Sequence, residues 1–298
     1  MTTAENPAQS GSKPLNLRLA VYSLDALPAM PAIAQKLLAL KMGSEEDEAH
    51  ILALIEQDPQ ISAKILGLAN SALIGAARNT INLSEAALLL GLARIRSISI
   101  SIAIMSLMSK LPAGRLDMNR LWLHSFGVAF AMLAIARAMP LKTRPAEEHI
   151  FLAGMLHDIG YLALAVLDPK HSNKLQAHMA AEPEREVTDI ERQILEIHHD
   201  ELGAALAQHW HLPEPIVAVL RSHHAPLGAE SAGAPLALMV HVAEKLLPAF
   251  GIDEYSGSEI SAAEWQALGI DASAAEKIKE QVALQADQAT LSVQLAGT

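Results

Sequence analysis

The chain contains no cysteine among its 298 residues, which excludes disulfide staples, thiolate nucleophiles and thiolate metal sites at once. Aromatic residues are nearly as scarce, at 3%, although hydrophobic residues make up 51%. A strand-rich sandwich would draw on Val, Thr, Tyr and Phe, so a core rich in Ala and Leu favours close helix packing. Clustered Lys and Arg are also missing. Residues 1–112 carry nine acidic and nine basic groups, 113–250 sixteen and eleven, and 251–298 eight and two, for a net charge of −11. With no basic patch to meet a phosphate backbone, nucleic acid is not expected as a direct partner. Long clean apolar runs are absent as well. Serines interrupt 97–109 and His124 interrupts 121–136, and both fall short of the ~18–20 apolar residues of a membrane span. Buried core helices are expected there, and no span. Residues 1–13 are polar and lack the apolar centre of a signal peptide. A disordered leader over 1–14 and a soluble, cytoplasmic chain are the expectation.

What is present is helical periodicity. Leu27, Met30, Ile33, Leu37 and Leu40 form one apolar face between 24 and 40. Ser44 followed by Glu45, Glu46, Asp47 and Glu48 has the form of an N-cap with an acidic first turn. Asp58-Pro59 breaks and restarts the pattern. Asp58 and Asn70-Ser71 are best taken as helix-end and turn residues, because Asp and Asn bond readily to nearby backbone N–H groups. Ser84 is expected to cap a helix through Leu90. The Ile/Ser alternation of 95–104 has strand period, but its neighbours are helical and it is assigned to a buried helix. Further helices are expected at 118–139, 147–168, 186–210, 214–223 and 234–248. The fold class is therefore all-α. Pro112-Ala113-Gly114 is the candidate boundary between an N-terminal helical subdomain, 15–112, and a second one, 113–250. The acidic segment 251–298 should hold one helix, at 274–286.

The chemical signal lies in thirteen histidines and where they fall. His124 shares an apolar face with Leu121, Val128 and Ala131. His199 shares one with Leu195, Leu202 and Leu206. His223, followed by His224, continues the face of Ile216, Val219 and Leu220, and Glu244 that of Ala237, Val240 and Leu247. His157 and Asp158 are adjacent in an otherwise apolar helix over 151–166. Any one inward histidine is most simply a hydrogen-bonded core residue. As a set they aim several ligands inward from five helices, and burying such groups without partners would cost several kcal/mol each. Convergence around cations resolves that cost. Imidazole and carboxylate suit one or two ions of Fe, Mn, Zn or Ni, with Asp158 as a bridging carboxylate. His50, His149, His171, His178, His198, His209, His211 and His241 are assigned to the surface or to helix ends.

The run Ala153-Gly154-Met155-Leu156-His157-Asp158-Ile159-Gly160 resembles the signature of the HD superfamily of metal-dependent phosphohydrolases. "LPAMPAIAQKLLAL", "IEQDPQISAKILGLANSALIG" and "INLSEAALLLGLARIRSISI" resemble the N-terminal half of HDOD proteins, the HD-related output domains. "HHDELGAALAQHWHLPEPIVAVLRSHHAP" resembles the later part of the same domain, so that the likeness covers roughly 20–248. The resemblance implies an N-terminal helical bundle packed on an HD-like helical core, and a signalling output role that acts through partner proteins. HD-GYP relatives hydrolyse cyclic di-GMP with a metal cluster. Matching their ligands implies His124, His157, Asp158, His199, His223 and His224 here, with Glu244 where Asp is usual. Two departures stand out. Tyr161 occupies the position of the active relatives' Lys, and His223-His224-Ala225-Pro226-Leu227-Gly228 lacks the Gly-Tyr-Pro element. No residue is therefore assigned as catalytic, and the expectation is a non-catalytic signalling module with a metal- or nucleotide-capable pocket. The alternative is a metal-dependent phosphohydrolase acting on a nucleotide or cyclic nucleotide.

Overall fold

The computed structural model describes residues 28–71, 74, 78–108, 114–195, 197–224, 234–248, 255 and 257–296, with side chains described as far as 286 and not for Met108. The leader, the start of the first expected helix, Pro112-Ala113 and the loop directly after His224 lie outside the described residues. Among the described residues there are fifteen helices and no strand. They are α1 (Ala32–Ala39), α2 (Glu45–Glu56), α3 (Pro59–Ala69), α4 (Leu83–Leu90), α5 (Leu92–Met108), α6 (Met118–Ala138), α7 (Glu147–Leu156) and α8 (Ile159–Leu167). After these come α9 (Pro169–Ala181), α10 (Val187–Ile194), α11 (His199–His209), α12 (Glu214–Ser222), α13 (Ala234–Leu246), α14 (Ala262–Ala267) and α15 (Ala272–Ala296).

The N-terminal helices are set by their caps. Ser44 and Asp47 exchange side-chain and backbone hydrogen bonds as a capping box at α2. Asp58 accepts from Gln60 and Ile61 N–H, with Pro59 in the first helical position of α3. At α4 the cap is Asn82, whose side chain accepts from Glu85 N–H, and not Ser84, which lies inside the first turn. Gly91 then adopts φ 90° and ends α4, a left-handed conformation that glycine reaches without Cβ strain. The chain turns by 114° there into α5.

α5 is a helix despite its alternating sequence. Ser99 and Ser101 return their hydroxyls to the carbonyls of Ile95 and Ser97, at 2.7 and 2.9 Å. The serines therefore satisfy themselves, and the helix is buried on every side. That is why the apolar positions carry no 3.6-residue stripe. Arg96 joins three elements: it donates to Leu37 O and Leu38 O at the end of α1 and pairs with Glu148 of α7 at 2.8 Å.

Asn70 spans the segment after α3. Its Nδ2 donates to Thr80 O at 2.8 Å and its Oδ1 accepts from Thr80 N–H at 2.7 Å. This is the pair of bonds a backbone partner would make, so the residue fixes the fold locally. Asn70→Ala removes both and should lower unfolding stability by roughly 1–3 kcal/mol, measured by urea denaturation. Unchanged stability would assign Asn70 to recognition instead.

The second half departs from expectation at four places. The single helix foreseen over 186–210 is two, α10 and α11, because the chain turns extended at Leu195 before α11 restarts at His199. The single helix foreseen over 147–168 is two, α7 and α8, bent by 40° at His157-Asp158. The break lets two adjacent residues face one centre, which a straight helix would place 100° apart. α9 was not foreseen, because PKHSNKLQAHMAA is polar. Asp168 caps it through His171 N–H, with Pro169 behind. The acidic C-terminal segment carries two helices, α14 and α15, where one was expected. α15 packs on α6.

α6 is long and apolar enough, by length and composition, to cross a membrane, as neither of the shorter runs read from the sequence is. In this fold 72% of its apolar window is buried inside the protein. Its apolar surface is taken up by α7, α13 and α15.

Candidate metal centre

Three glycines bring the pocket helices together. A Cβ at Gly154 of α7 would lie 2.5 Å from Ala129 Cα of α6, so only glycine permits that approach, which sets His124 against His157. A Cβ at Gly160 of α8 would overlap the His199 carbonyl at the start of α11, and one at Gly203 of α11 would lie 3.2 Å from Gly160 N. The α8–α11 crossing is close for the same reason. It stacks Tyr161 on His199, with centroids 4.3 Å apart and planes 16° apart.

Asp158 stands at the centre. Its Oδ2 lies 3.3 Å from His124 Nε2 and 3.2 Å from His157 Nε2. Its Oδ1 lies 3.6 Å from His199 Nε2 and 3.7 Å from His223 Nε2. Glu244 Oε1 is 3.4 Å from His157 Nε2. The ring nitrogens also face one another: His124 and His157 at 3.1 Å, His199 and His223 at 3.3 Å, His199 and His224 at 3.0 Å. The structure therefore brings together all seven residues singled out in the sequence: six in two groups joined by Asp158, namely His124, His157 and Asp158, and His199, His223 and His224, with Glu244 beside His157. Each group can hold a metal ion. Six of the seven are buried, and His224 alone reaches the pocket's edge.

What meets at the centre is mostly acceptors. The outer nitrogens of three rings are turned away from it. His157 Nδ1 bonds Gly154 O at 2.8 Å, His223 Nδ1 bonds Leu220 O at 3.1 Å, and His199 Nδ1 bonds Glu191 Oε1 at 2.9 Å. Donation of each Nδ1–H leaves the Nε2 lone pair facing inward. Both oxygens of Asp158 and both of Glu244 are buried without a hydrogen bond of acceptable geometry. An unsatisfied buried acceptor costs about 1–3 kcal/mol, and more when charged. Lone pairs crowded on lone pairs require positive charge between them. Donor atoms about 2.1 Å from one ion are about 3.0 Å apart at right angles and about 3.4 Å at tetrahedral angles. The spacings above within each group, 3.0–3.3 Å, fall in that range, while Asp158 Oδ1 stands slightly farther from His199 and His223, at 3.6 and 3.7 Å; each group fits a divalent cation.

The carboxylates and rings also shift one another's protonation. Burial alone would lower the His157 pKa, but the carboxylates of Asp158 and Glu244 outweigh it and hold the ring well above its ordinary value. Burial alone would raise Asp158, but the charge on His157 and the rings of His124 and His223 hold it well below the usual carboxylate range. At His223, burial and the neighbouring His224 lower the pKa.

Two further residues were not foreseen. Glu191 is fully buried on α10, and its Oε1 accepts from both the ring and the backbone N–H of His199. Its signal was legible, since Glu191 lies on the stripe of Val187, Ile190 and Ile194. Tyr255, whose hydroxyl meets His224 Nδ1 at 3.1 Å, had no such signal. Glu191→Gln keeps an acceptor and removes the charge behind His199. Losses of this kind cost roughly 10–100-fold in metal affinity, to be read by competition with a chelating dye. An unaltered affinity would reduce Glu191 to a packing role. Of the histidines assigned elsewhere, His171 and His178 pair locally with Asp168 and Glu182. His241, half-buried, pairs with Glu264 at 3.2 Å.

A family model described as the HDOD domain matches residues 27–226. An uncharacterized protein of Treponema pallidum (strain Nichols) is 28% identical over 212 residues, which make up 70% of this chain and 40% of that protein. The chain thus spans less than half of that relative. A solved protein of Marinobacter aquaeolei VT8, provisionally named a signal transduction protein, superposes with a TM-score of 0.77 at 21% identity, covering 95% of this chain and 65% of that one. That likeness speaks for the fold. A solved protein of Shewanella amazonensis SB2B, provisionally named a phosphohydrolase, gives a TM-score of 0.69 at 25% identity, covering 92% and 97%.

Proposed function

We propose that this chain, which belongs to the HDOD domain family, is a signal-transduction output module. In this reading the pocket of His124, His157, Asp158, His199, His223, His224 and Glu244 holds one or two divalent ions, of Fe, Mn, Zn or Ni, as part of its architecture. Output passes through contacts with partner proteins in the cytoplasm. The observation that carries the reading is the closure of the pocket over Tyr161, which is 1% exposed and lies flat on His199. Where active HD-GYP relatives place a Lys, this chain has a neutral ring that packs and offers no charge to a phosphate. Exposed apolar side chains on and beside α4, Leu88 at 90% and Ile81 at 75%, support a protein-contact role for the N-terminal subdomain, 15–112, distinct from the pocket-bearing subdomain, 113–250.

The second reading is a metal-dependent phosphohydrolase acting on a nucleotide such as cyclic di-GMP. The complete ligand set and the name carried by the Shewanella protein favour it. Bound ions would supply Lewis acidity and lower the pKa of a water. The chain's own residues hold the ligands in place: Glu191 orients His199, the Gly154 carbonyl orients His157, and Tyr161 walls the pocket. None of them presents a cation to a leaving phosphate. The assay is turnover of cyclic and linear nucleotides by the full chain in added Mn or Fe, beside Tyr161→Lys. The parent is expected to show no turnover. Robust hydrolysis by the parent, abolished by Asp158→Ala, would make the protein an enzyme.

A further inference from the structure

Outside the histidine pocket, a cleft of about 560 Å³ opens between the start of α6, the second half of α9 and α10. Its size falls in the range of small-molecule sites. The floor is apolar, formed by Leu116, Met179, Val187 and Ile190, and three guanidinium groups, Arg115, Arg120 and Arg185, line it as well. The carboxylates of Asp117 and Glu182 line it too, so three cations against two anions leave the lining with one net positive charge in a chain of net charge −11.

The arginines differ in how firmly they are engaged. Arg120 lies 3.4 Å from Asp117, with both side chains more than half exposed, a pair that contributes little. Arg185 bonds Glu182 at 3.0 Å and Gln193 at 2.7 Å. Arg115 pairs with no carboxylate among the described residues, yet its backbone is fixed. Gly114 is left-handed at φ 61°, and Arg115 N–H donates to Asn173 Oδ1 on α9 at 2.6 Å. One free cation is thus anchored at the mouth, and a second is held only by an exchangeable partner.

We propose that this cleft binds a phosphate monoester with an apolar or aromatic body. Arginine forks match phosphate oxygens two at a time, and the body would lie on the aliphatic floor. The cleft lies on helices that also support the histidine pocket. Arg120 is one turn before His124 on α6, and Ile190 directly precedes Glu191, which holds His199. Occupancy of the cleft is therefore set to bear on α10 and through it on His199.

The test uses the full chain in EDTA, so that ligand binding is read apart from any metal in the pocket, and titrates 4-methylumbelliferyl phosphate by ligand-observed NMR. Inorganic phosphate and 4-methylumbelliferone serve as the two halves of the probe. Saturable binding of the ester is expected, at least roughly tenfold tighter than either half, because both subsites must be filled together. Arg115→Ala and Arg120→Ala, both at exposed positions, should each weaken it several-fold, while Lys64→Ala, outside the cleft, should not. Absence of saturable binding, equal binding of the neutral fluorophore, or indifference to both arginine substitutions would overturn the proposal.

Discussion

Gly160→Ala is expected to unfold at markedly lower temperature than the parent and to lose metal binding together with stability. The new Cβ would overlap the His199 carbonyl, a backbone atom that can move only if α11 moves. Forcing a methyl group into a packed contact typically costs about 1–3 kcal/mol, and a clash with main chain falls at or beyond the top of that range. For a chain of this size each kcal/mol shifts the midpoint by roughly 2–4 °C, so a fall of about 6 °C or more is predicted by scanning calorimetry. The displacement also carries His199 away from Asp158 and His223, which a purely structural clash elsewhere would not do. Gly67→Ala is the matched control. That position is exposed on α3 and nothing lies within 4 Å of its Cβ site, so helix propensity should stabilise it by up to about 1 kcal/mol. Equal behaviour of the two variants would contradict the close crossing of α8 and α11.

Asp158→Asn carries the second large effect. Its carboxylate faces both histidine clusters, His124 and His157 through Oδ2 and His199 and His223 through Oδ1. The substitution keeps shape and volume and removes the charge. A lost outer partner costs roughly 10–100-fold in metal affinity, so loss of the shared ligand should exceed that. The readout is stabilisation by added Mn or Zn relative to chelator. A ligand at a hundred times its Kd stabilises by about 2.7 kcal/mol, a gain the parent should show and the variant should lack. Comparing metal with chelator within each protein removes any change in the bare fold. An equal metal-induced gain in both proteins would show that Asp158 does not hold the ion.

Much of this was legible in the sequence, for a physical reason. Histidines and carboxylates on otherwise apolar helical faces point at the core, and His124, His199, His223 and Glu244 all do so. What periodicity could not give was the break at His157-Asp158, because a continuous apolar run has no stripe to interrupt. The same absence of a stripe gave α5 a strand-like period, and its helical neighbours assigned it to a buried helix; its serines bond their own preceding turns. Glu191 was overlooked because a glutamate among Asp189 and Arg192 reads as solvated, and only its register with Val187 and Ile190 marks it as inward. α9 was overlooked because its stability lies in its Asp168 cap and in packing on α8, neither of which appears as apolar content. The glycines at 154 and 160 were read as part of a signature. The structure gives their cause, which is backbone approach.

The central claim is that the converging histidines and carboxylates form a metal site. Elemental analysis of the full chain purified without chelators tests it most directly. One or two equivalents of Fe, Mn, Zn or Ni per chain are predicted, falling to background in Asp158→Asn. Background metal in the parent, unchanged after incubation with each of those ions and desalting, would contradict it.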